Sequence, residues 1–215
     1  MVYINKYMYK TYYILIGLMI FLLPQAFILP IEYSYENHLL ENTEVCILGI
    51  GLITMFYKIM KINIKKVKNF YLACGIFYMV MIARELSFGR VFYPIGIDKN
   101  GEQIFVKVHE LWYGSVVYPM VGILILIVLI LLGVYFYQSR RQGICWYIPL
   151  GEFLFFIVTS ILGQFVFDRG LVQFGNYNQL LEESCEIIAY IALICYTYDI
   201  SFKRRYIHIR YFSIR

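Results

Sequence analysis

Three glutamates, Glu182, Glu183 and Glu186, open an otherwise apolar stretch late in the chain. In a helix, residues 182 and 186 lie one turn apart on one face, and residue 183 sits on the neighbouring edge. Three carboxylates placed this way repel one another unless a proton or a cation intervenes. Arg84 and Glu85 end another apolar run, Glu41 and Glu44 begin a third, and His109 and Glu110 precede a fourth. Glu152, beside Gly151, is an isolated acid inside a fifth. Ionisable groups within hydrocarbon are costly, and the cost falls towards the interface. Arg84, Glu85, Glu182, Glu183 and Glu186 are therefore candidates for a polar site, bordered by Glu44, His109 and Glu110. Glu152 either reaches for the interface, bonds a neighbouring helix, or carries protons.

A plainer account competes with this one. Acids at helix N-termini complement the macrodipole, so they gather there without any ligand. Arg84 could then pair with Glu182 or Glu186 as a packing bridge. Its location opposes the charge sorting described below, so it needs a partner on either account.

Other chemistries find little support. Cys46, Cys74, Cys145, Cys185 and Cys195 form no CxxC pair, and they read as small apolar packing residues. Cys46 and Cys185 share a level, which leaves a disulfide open. His38, His109 and His208 fall outside the apolar runs, so paired histidines for haem or zinc are missing. No HExxH, P-loop or GxGxxG motif occurs. Glu182-Glu183 is followed by Ser184, Cys185, Glu186 and Ile187, which does not meet the EExxxR pattern of CAAX-protease-like enzymes. Glutamate oxygens suit a hard cation, and His109 or His38 would broaden the range, but no spacing is diagnostic. Neither a metal nor a cofactor is expected.

The elements that must position these residues are membrane spans. The chain has 215 residues, 61% of them hydrophobic, and a mean hydropathy of +0.66. A hydrocarbon core of about 30 Å needs about 20 helical residues. Apolar stretches at residues 12–30, 44–60, 70–85, 113–138, 143–168 and 178–199 predict an all-α membrane protein, a six-transmembrane-helix bundle in a single domain. Ile123 to Leu132 is apolar at every position, so a β-barrel's alternation is absent. Pro24 should kink or shorten the first span. That span reads as a retained anchor, because no A-x-A-like cleavage site follows it. The run Gln103 to Val108 reads as a short strand or an interfacial segment, after a turn at Asp98 to Gly101.

The net charge of +5 is sorted by side. Lys6, Lys10, Lys58, Lys61, Lys65, Lys66, Lys68, Arg140, Arg141, Lys203, Arg204, Arg205, Arg210 and Arg215 share one side of a six-span arrangement. Arg84, Arg90, Lys99, Lys107 and Arg169 lie on the other. The positive-inside rule puts both termini in the cytoplasm of a multi-pass plasma-membrane protein. The basic stretch Lys61 to Lys68 reads as topology and anionic-lipid contact. Nucleic acid is not an expected partner, since no aromatic platform accompanies it. Many of the 22 tyrosines lie at span ends, as an interfacial belt does. Leu39–Lys61 and Leu180–Lys203 echo each other weakly: both start LLE, carry a nearby Cys, and run apolar to a basic end.

The functional expectation is an outward-facing acidic site that binds or passes a cation, proton or polar solute. Two alternatives stand beside it. One is a membrane-embedded enzyme for a lipid-linked substrate, with Glu85, His109 and Glu186 as acid–base candidates. The other is an accessory subunit of a membrane complex. The residues weigh against an enzyme.

Overall fold

Helices α1 (Tyr9–Gln25), α2 (Leu39–Lys61), α3 (Lys65–Glu85), α4 (Gly114–Arg141), α5 (Leu150–Ile161) and α6 (Asn178–Asp199) make up most of the chain. Short strands accompany them: β1 (Val2–Ile4), β2 (Pro94–Ile97), β3 (Gln103–Phe105), β4 (Ile144–Ile148) and β5 (Ser201–Arg204). The computed structural model describes residues 2–4, 9–62, 65–98, 102–141 and 144–204. Lys6, Lys99, Arg205, His208, Arg210 and Arg215 lie outside the described residues.

Leu39–Lys61, Val67–Glu85, Gly114–Arg141 and Leu150–Phe167 are long and apolar enough to cross a bilayer. The apolar part of α1, Thr11–Gln25, is shorter. Helix α6 has the length, at 22 residues, but carries Glu182, Glu183, Glu186 and Asp199. On α4 the side chains of Val116, Ile123, Leu126, Leu129 and Ile130 are all exposed. An apolar surface of that extent needs a non-aqueous neighbour.

Several boundaries differ from the expected spans. The first helix stops at Gln25 rather than residue 30. Pro24 sits in its last turn, and Ala26 to Leu29 close turns through Phe27 N–H to Pro24 O and Leu29 N–H to Gln25 O. Ala26 and Leu29 serve packing, since both join Leu40, Leu180 and Leu181, whereas Phe27 and Ile28 stay exposed. Helix α2 begins earlier than residue 44. Asn42 and Thr43 bond back to the carbonyls of His38 and Leu39, so polar residues fit the first turn. Helix α3 likewise begins at Lys65 rather than residue 70. The fifth helix begins at Leu150 rather than residue 143. Pro149 occupies the N-cap, and proline biases its predecessor towards extended backbone. Ile144–Ile148 instead forms β4, parallel to β1 and antiparallel to β5. That three-stranded sheet is not foreseen by the sequence reading. Strands β2 and β3 form a hairpin, with Asp98 N–H bonded to Glu102 O. Cys46 and Cys185 are free thiols, so no disulfide joins them.

Consecutive helices run antiparallel. The sheet gathers the starts of α1 and α5 and the end of α6. Lys58, near the end of α2, donates to Tyr198 O at 2.9 Å, which puts the end of α2 there too. The opposite end collects the C-terminus of α3 and the N-terminal halves of α2 and α6. Helix α6 is the hub, packed against α1, α2 and α5. The main core joins Leu48 and Met55 of α2, Phe70, Tyr71 and Tyr78 of α3, Tyr135 of α4, and Tyr190 and Leu193 of α6. Gly51 admits the Tyr78 ring: a Cβ there would lie 2.4 Å from Tyr78 Cε1. The hydroxyls of Tyr78 and Thr197 meet at 2.9 Å, tying α3 to α6.

Candidate functional site

The acidic end of the bundle is built around the last turn of α3. Arg84 Nη2 donates to Glu186 Oε2 at 2.7 Å and reaches the Tyr190 hydroxyl at 3.2 Å. Its Nε lies 3.0 Å from Glu85 Oε1. Glu186 and Tyr190 are one turn apart on α6, so both face α3 together. Tyr190 Oη donates to Glu85 Oε1 at 2.5 Å and also lies 3.1 Å from Glu186 Oε2. A phenol carries one proton, so two carboxylates compete for it. Gln164 Nε2 points at Glu186 Oε1 from 3.4 Å.

Gln164 comes from a π-helical turn, Leu162–Phe167, that continues α5. Such turns recur at functional sites. Here the turn sets the buried Gly163 against the Glu186 side chain.

Glu44 completes the cluster from α2. It lies in the buried stripe Leu40, Glu44, Leu48, Gly51, Met55, whose three- and four-residue spacing marks one helix face. Its exposure is 0%. No hydrogen-bond donor among the described residues reaches either of its carboxylate oxygens. What faces it is more acid. Oxygens of Glu44, Glu85 and Glu186 all lie within 4.8 Å of one another. Glu183 also stands within bonding reach of Glu44. Carboxylate meets carboxylate favourably only through a shared proton or a cation.

Two cavities border the cluster. One, of about 310 Å³, is lined by Arg84, Gln164, Asp168, Arg169, Glu182 and Glu186. The second, of about 230 Å³, lies between α3, α5 and α6, with Met81, Phe156, Ser160 and Ala189 beside Arg84, Gln164, Glu186 and Tyr190. Glu186 is 7% exposed, whereas the Arg84 side chain is 36% exposed.

The helix-dipole account reaches only part of this arrangement. The dipole's influence fades beyond the first turn. Glu41 is in the first turn of α2, but α6 has no acid in its first turn. Glu44 and Glu186 lie deeper and are buried. The dipole does favour Arg84 at the C-terminus of α3, and it disfavours Glu85 beside it.

The structure thus brings together Arg84, Glu85, Glu44, Glu183 and Glu186, with Glu182 on a cavity wall. It does not bring in His109 and Glu110. They sit exposed on a 3-10 turn, Val108–Glu110, where His109 Nε2 and Glu110 Oε1 are 3.7 Å apart. Glu152 stands alone in the first turn of α5, towards the sheet end. It is fully buried, and neither oxygen has a hydrogen-bond partner among the described residues. Tyr190 and Gln164 are the site residues that the sequence reading missed. The signal for Tyr190 was its position one turn beyond Glu186; for Gln164 it was an amide inside an apolar run.

The loops beyond this end are tied down by separate polar contacts. Glu36 accepts from Arg90 and from Ser87 Oγ, the latter at 3.0 Å. Gln179 Nε2 donates to Ser34 O at 2.7 Å. After α3 the chain turns through Ser87, Phe88 and Gly89, all with positive φ. The Tyr113 hydroxyl closes the turn by donating to Phe88 O at 3.1 Å. No protein-family model, curated protein or solved structure matches this chain.

Proposed function

We propose that the chain is a six-span plasma-membrane protein with cytoplasmic termini, and that its acidic end forms an outward-facing site that binds or passes a cation, a proton or a small polar solute. The observation that carries this reading is Glu44: a fully buried carboxylate with no donor among the described residues, facing the carboxylates of Glu85 and Glu186. Arg84 serves both of those acids, and no cation among the described residues pairs with Glu44. A group arranged this way takes up positive charge. The two cavities give a small solute a place beside Glu186.

The six-span arrangement rests on the antiparallel order of the helices and on charge. Lys58 and Lys61 of α2 and Arg140 and Arg141 of α4 lie in the last turns of helices that end near the sheet. Basic residues there suit the cytoplasmic face and its anionic lipids. Helix α6 need not be apolar, because its neighbours shield it from lipid. Maleimide labelling of Lys61→Cys and Asp98→Cys in right-side-out vesicles tests this orientation. The Asp98→Cys thiol should react from outside, and the Lys61→Cys thiol only after permeabilisation; the reverse pattern refutes it.

For the site, proteoliposomes loaded with a pH dye and challenged with Na+, K+, Mg2+ or Ca2+ gradients report proton or cation movement. Arg84→Ala, Glu182→Ala and Glu186→Ala should abolish a wild-type signal while insertion persists. A signal unchanged in all three variants refutes the role. A second reading, a membrane-embedded enzyme for a lipid-linked substrate, is favoured by the cavity between α3 and α5. Its Met81 and Phe156 walls suit an apolar chain, and Arg84 and Glu186 stand at its head.

A further inference from the structure

The cluster's geometry narrows the ligand beyond charge alone. Three glutamates from three helices each offer one oxygen to a common point, with no pair of these oxygens more than 4.8 Å apart. Points that close fit within about 2.8 Å of a single centre, just beyond the Ca2+–oxygen distance of about 2.3–2.6 Å, so a small inward movement completes the contact. Mg2+, at about 2.0–2.1 Å and with strict octahedral demands, fits less well. The ligand set is all oxygen, from Glu44, Glu85 and Glu186, which favours hard ions over Cu+ or Zn2+.

An acidic cluster alone says little, since acids gather at helix ends for other reasons. The independent observation is Glu44 itself. It is 0% exposed, both of its oxygens lack a donor among the described residues, and it is aimed into the cluster. Charge agrees: among the described residues, Glu44, Glu85, Glu186 and the neighbouring Glu183 outnumber the Arg84 guanidinium by three negative charges. One dication offsets most of that excess. The Arg84 contacts with Glu85 and Glu186 fix the side chains whose oxygens converge. Glu186 also lines both cavities, which gives an ion a way in and room for the water ligands that Ca2+ keeps.

We infer that Glu44, Glu85 and Glu186 hold one hard divalent cation, of Ca2+ size, at the acidic end of the bundle. The inference rests on the cation-site reading above and specifies its occupant. Protons would neutralise the same charge, so the test must separate the two.

Tag-free full-length protein in detergent, stripped with EDTA, is titrated with Mn2+ while electron paramagnetic resonance reads the free ion. One Mn2+ per chain should bind, and Ca2+ should displace it. Ca2+ should also raise the melting temperature of the stripped protein. Glu44→Gln and Glu186→Gln should weaken binding at least about tenfold, the loss typical of a disturbed metal shell. Glu110→Gln, exposed and outside the cluster, should bind as wild type does. Glu44→Gln removes a buried charge and keeps the side-chain shape, and its melting temperature without metal verifies that it folds. Glu44→Asp provides a second variant and should retain weakened binding. Absence of stoichiometric Mn2+ and Ca2+ binding in the wild type, or equal binding in Glu44→Gln, overturns the dication. If the wild type then takes up protons in a potentiometric titration that Glu44→Gln lacks, the dication is refuted and the proton form of the site stands. If neither ion nor proton is taken up, both readings fall.

Discussion

Replacing Arg84 with Met tests whether the buried network exists as an energetic unit. The substitution keeps an unbranched side chain and removes the guanidinium that serves Glu186, Glu85 and Tyr190. Removing one partner of a buried ion pair costs about 3–5 kcal/mol, because the other charge is left stranded. The 36% exposure of the Arg84 side chain lets solvent screen part of that loss, which brings the expectation to about 2–3 kcal/mol. For a chain of this size, 1 kcal/mol moves the melting temperature by about 2–4 °C, so the drop should be about 4–12 °C. If Arg84 merely complemented the dipole at the end of α3, its loss would cost at most about 1 kcal/mol. Thermal scanning in a fixed detergent–lipid mixture measures the single variants Arg84→Met and Glu186→Gln and their combination. Glu186→Gln removes the charge that Arg84 neutralises, so the double variant should lose less than the two singles together, by about 1 kcal/mol or more. Effects that add within about 0.5 kcal/mol refute the pairing, whatever the size of the single losses.

Two other substitutions probe the frame that holds the site. Gly51→Ala gains about 1 kcal/mol of helix propensity. Against that, its Cβ would meet the Tyr78 ring at 2.4 Å and displace the hydroxyl from Thr197. Overpacking of about 1–3 kcal/mol and a lost hydrogen bond of about 1 kcal/mol leave a net loss of about 1–3 kcal/mol. An unchanged or raised melting temperature counts against that close packing of α2 on α3. Gly89→Ala forces a Cβ onto a residue with φ of +89° and towards the Tyr113 hydroxyl, 2.8 Å away. A loss of about 1–2 kcal/mol is expected, with faster hydrogen exchange in residues 86–93 than in α3. Uniform exchange across both segments refutes a local role for the turn.

The helices were legible in the sequence because lipid-compatible runs need no partner to be recognised. Helix α4 is the clearest case: its apolar faces are read residue by residue, and they remain exposed in the fold. Boundaries failed where apolar residues serve packing. Ala26 to Leu29 resemble a continuing span, yet they leave the helix, and Ala26 and Leu29 pack with Leu180 and Leu181. Residues 144–148 resemble the start of a span, yet they pair with chain ends distant in sequence, which no local pattern records. The site was half legible. Arg84, Glu85 and Glu186 stood out because each is a charge in an apolar context. His109 and Glu110 stood out for the same reason, but they belong to an exposed turn, and depth along a span says nothing about which way a side chain faces. Glu44 read as a border residue, although it is the most deeply buried acid of the cluster. Its face on α2 becomes visible only once Leu40, Leu48, Gly51 and Met55 are seen to line the same contact.

The arrangement of the bundle follows from the cost of those acids. A helix bearing Glu182, Glu183 and Glu186 cannot present that turn to hydrocarbon without a large penalty. Helix α6 avoids the penalty by taking the centre, where residues on nearly every face are buried against other helices. Helix α4, with no charge before Arg140, takes the edge and leaves most of its surface uncovered. Polar content thus sorts the helices between hub and rim, and once α6 is central its carboxylates must be answered by neighbours. Arg84 and Tyr190 answer Glu85 and Glu186. Helix α2 contributes a further acid where an apolar residue would have filled the same stripe at no electrostatic cost. A structural network gains from Glu44 only through a proton shared with Glu85 or Glu183. A site that must take up positive charge gains from it directly, and the choice of glutamate at position 44 is the strongest reason to look for its ligand there.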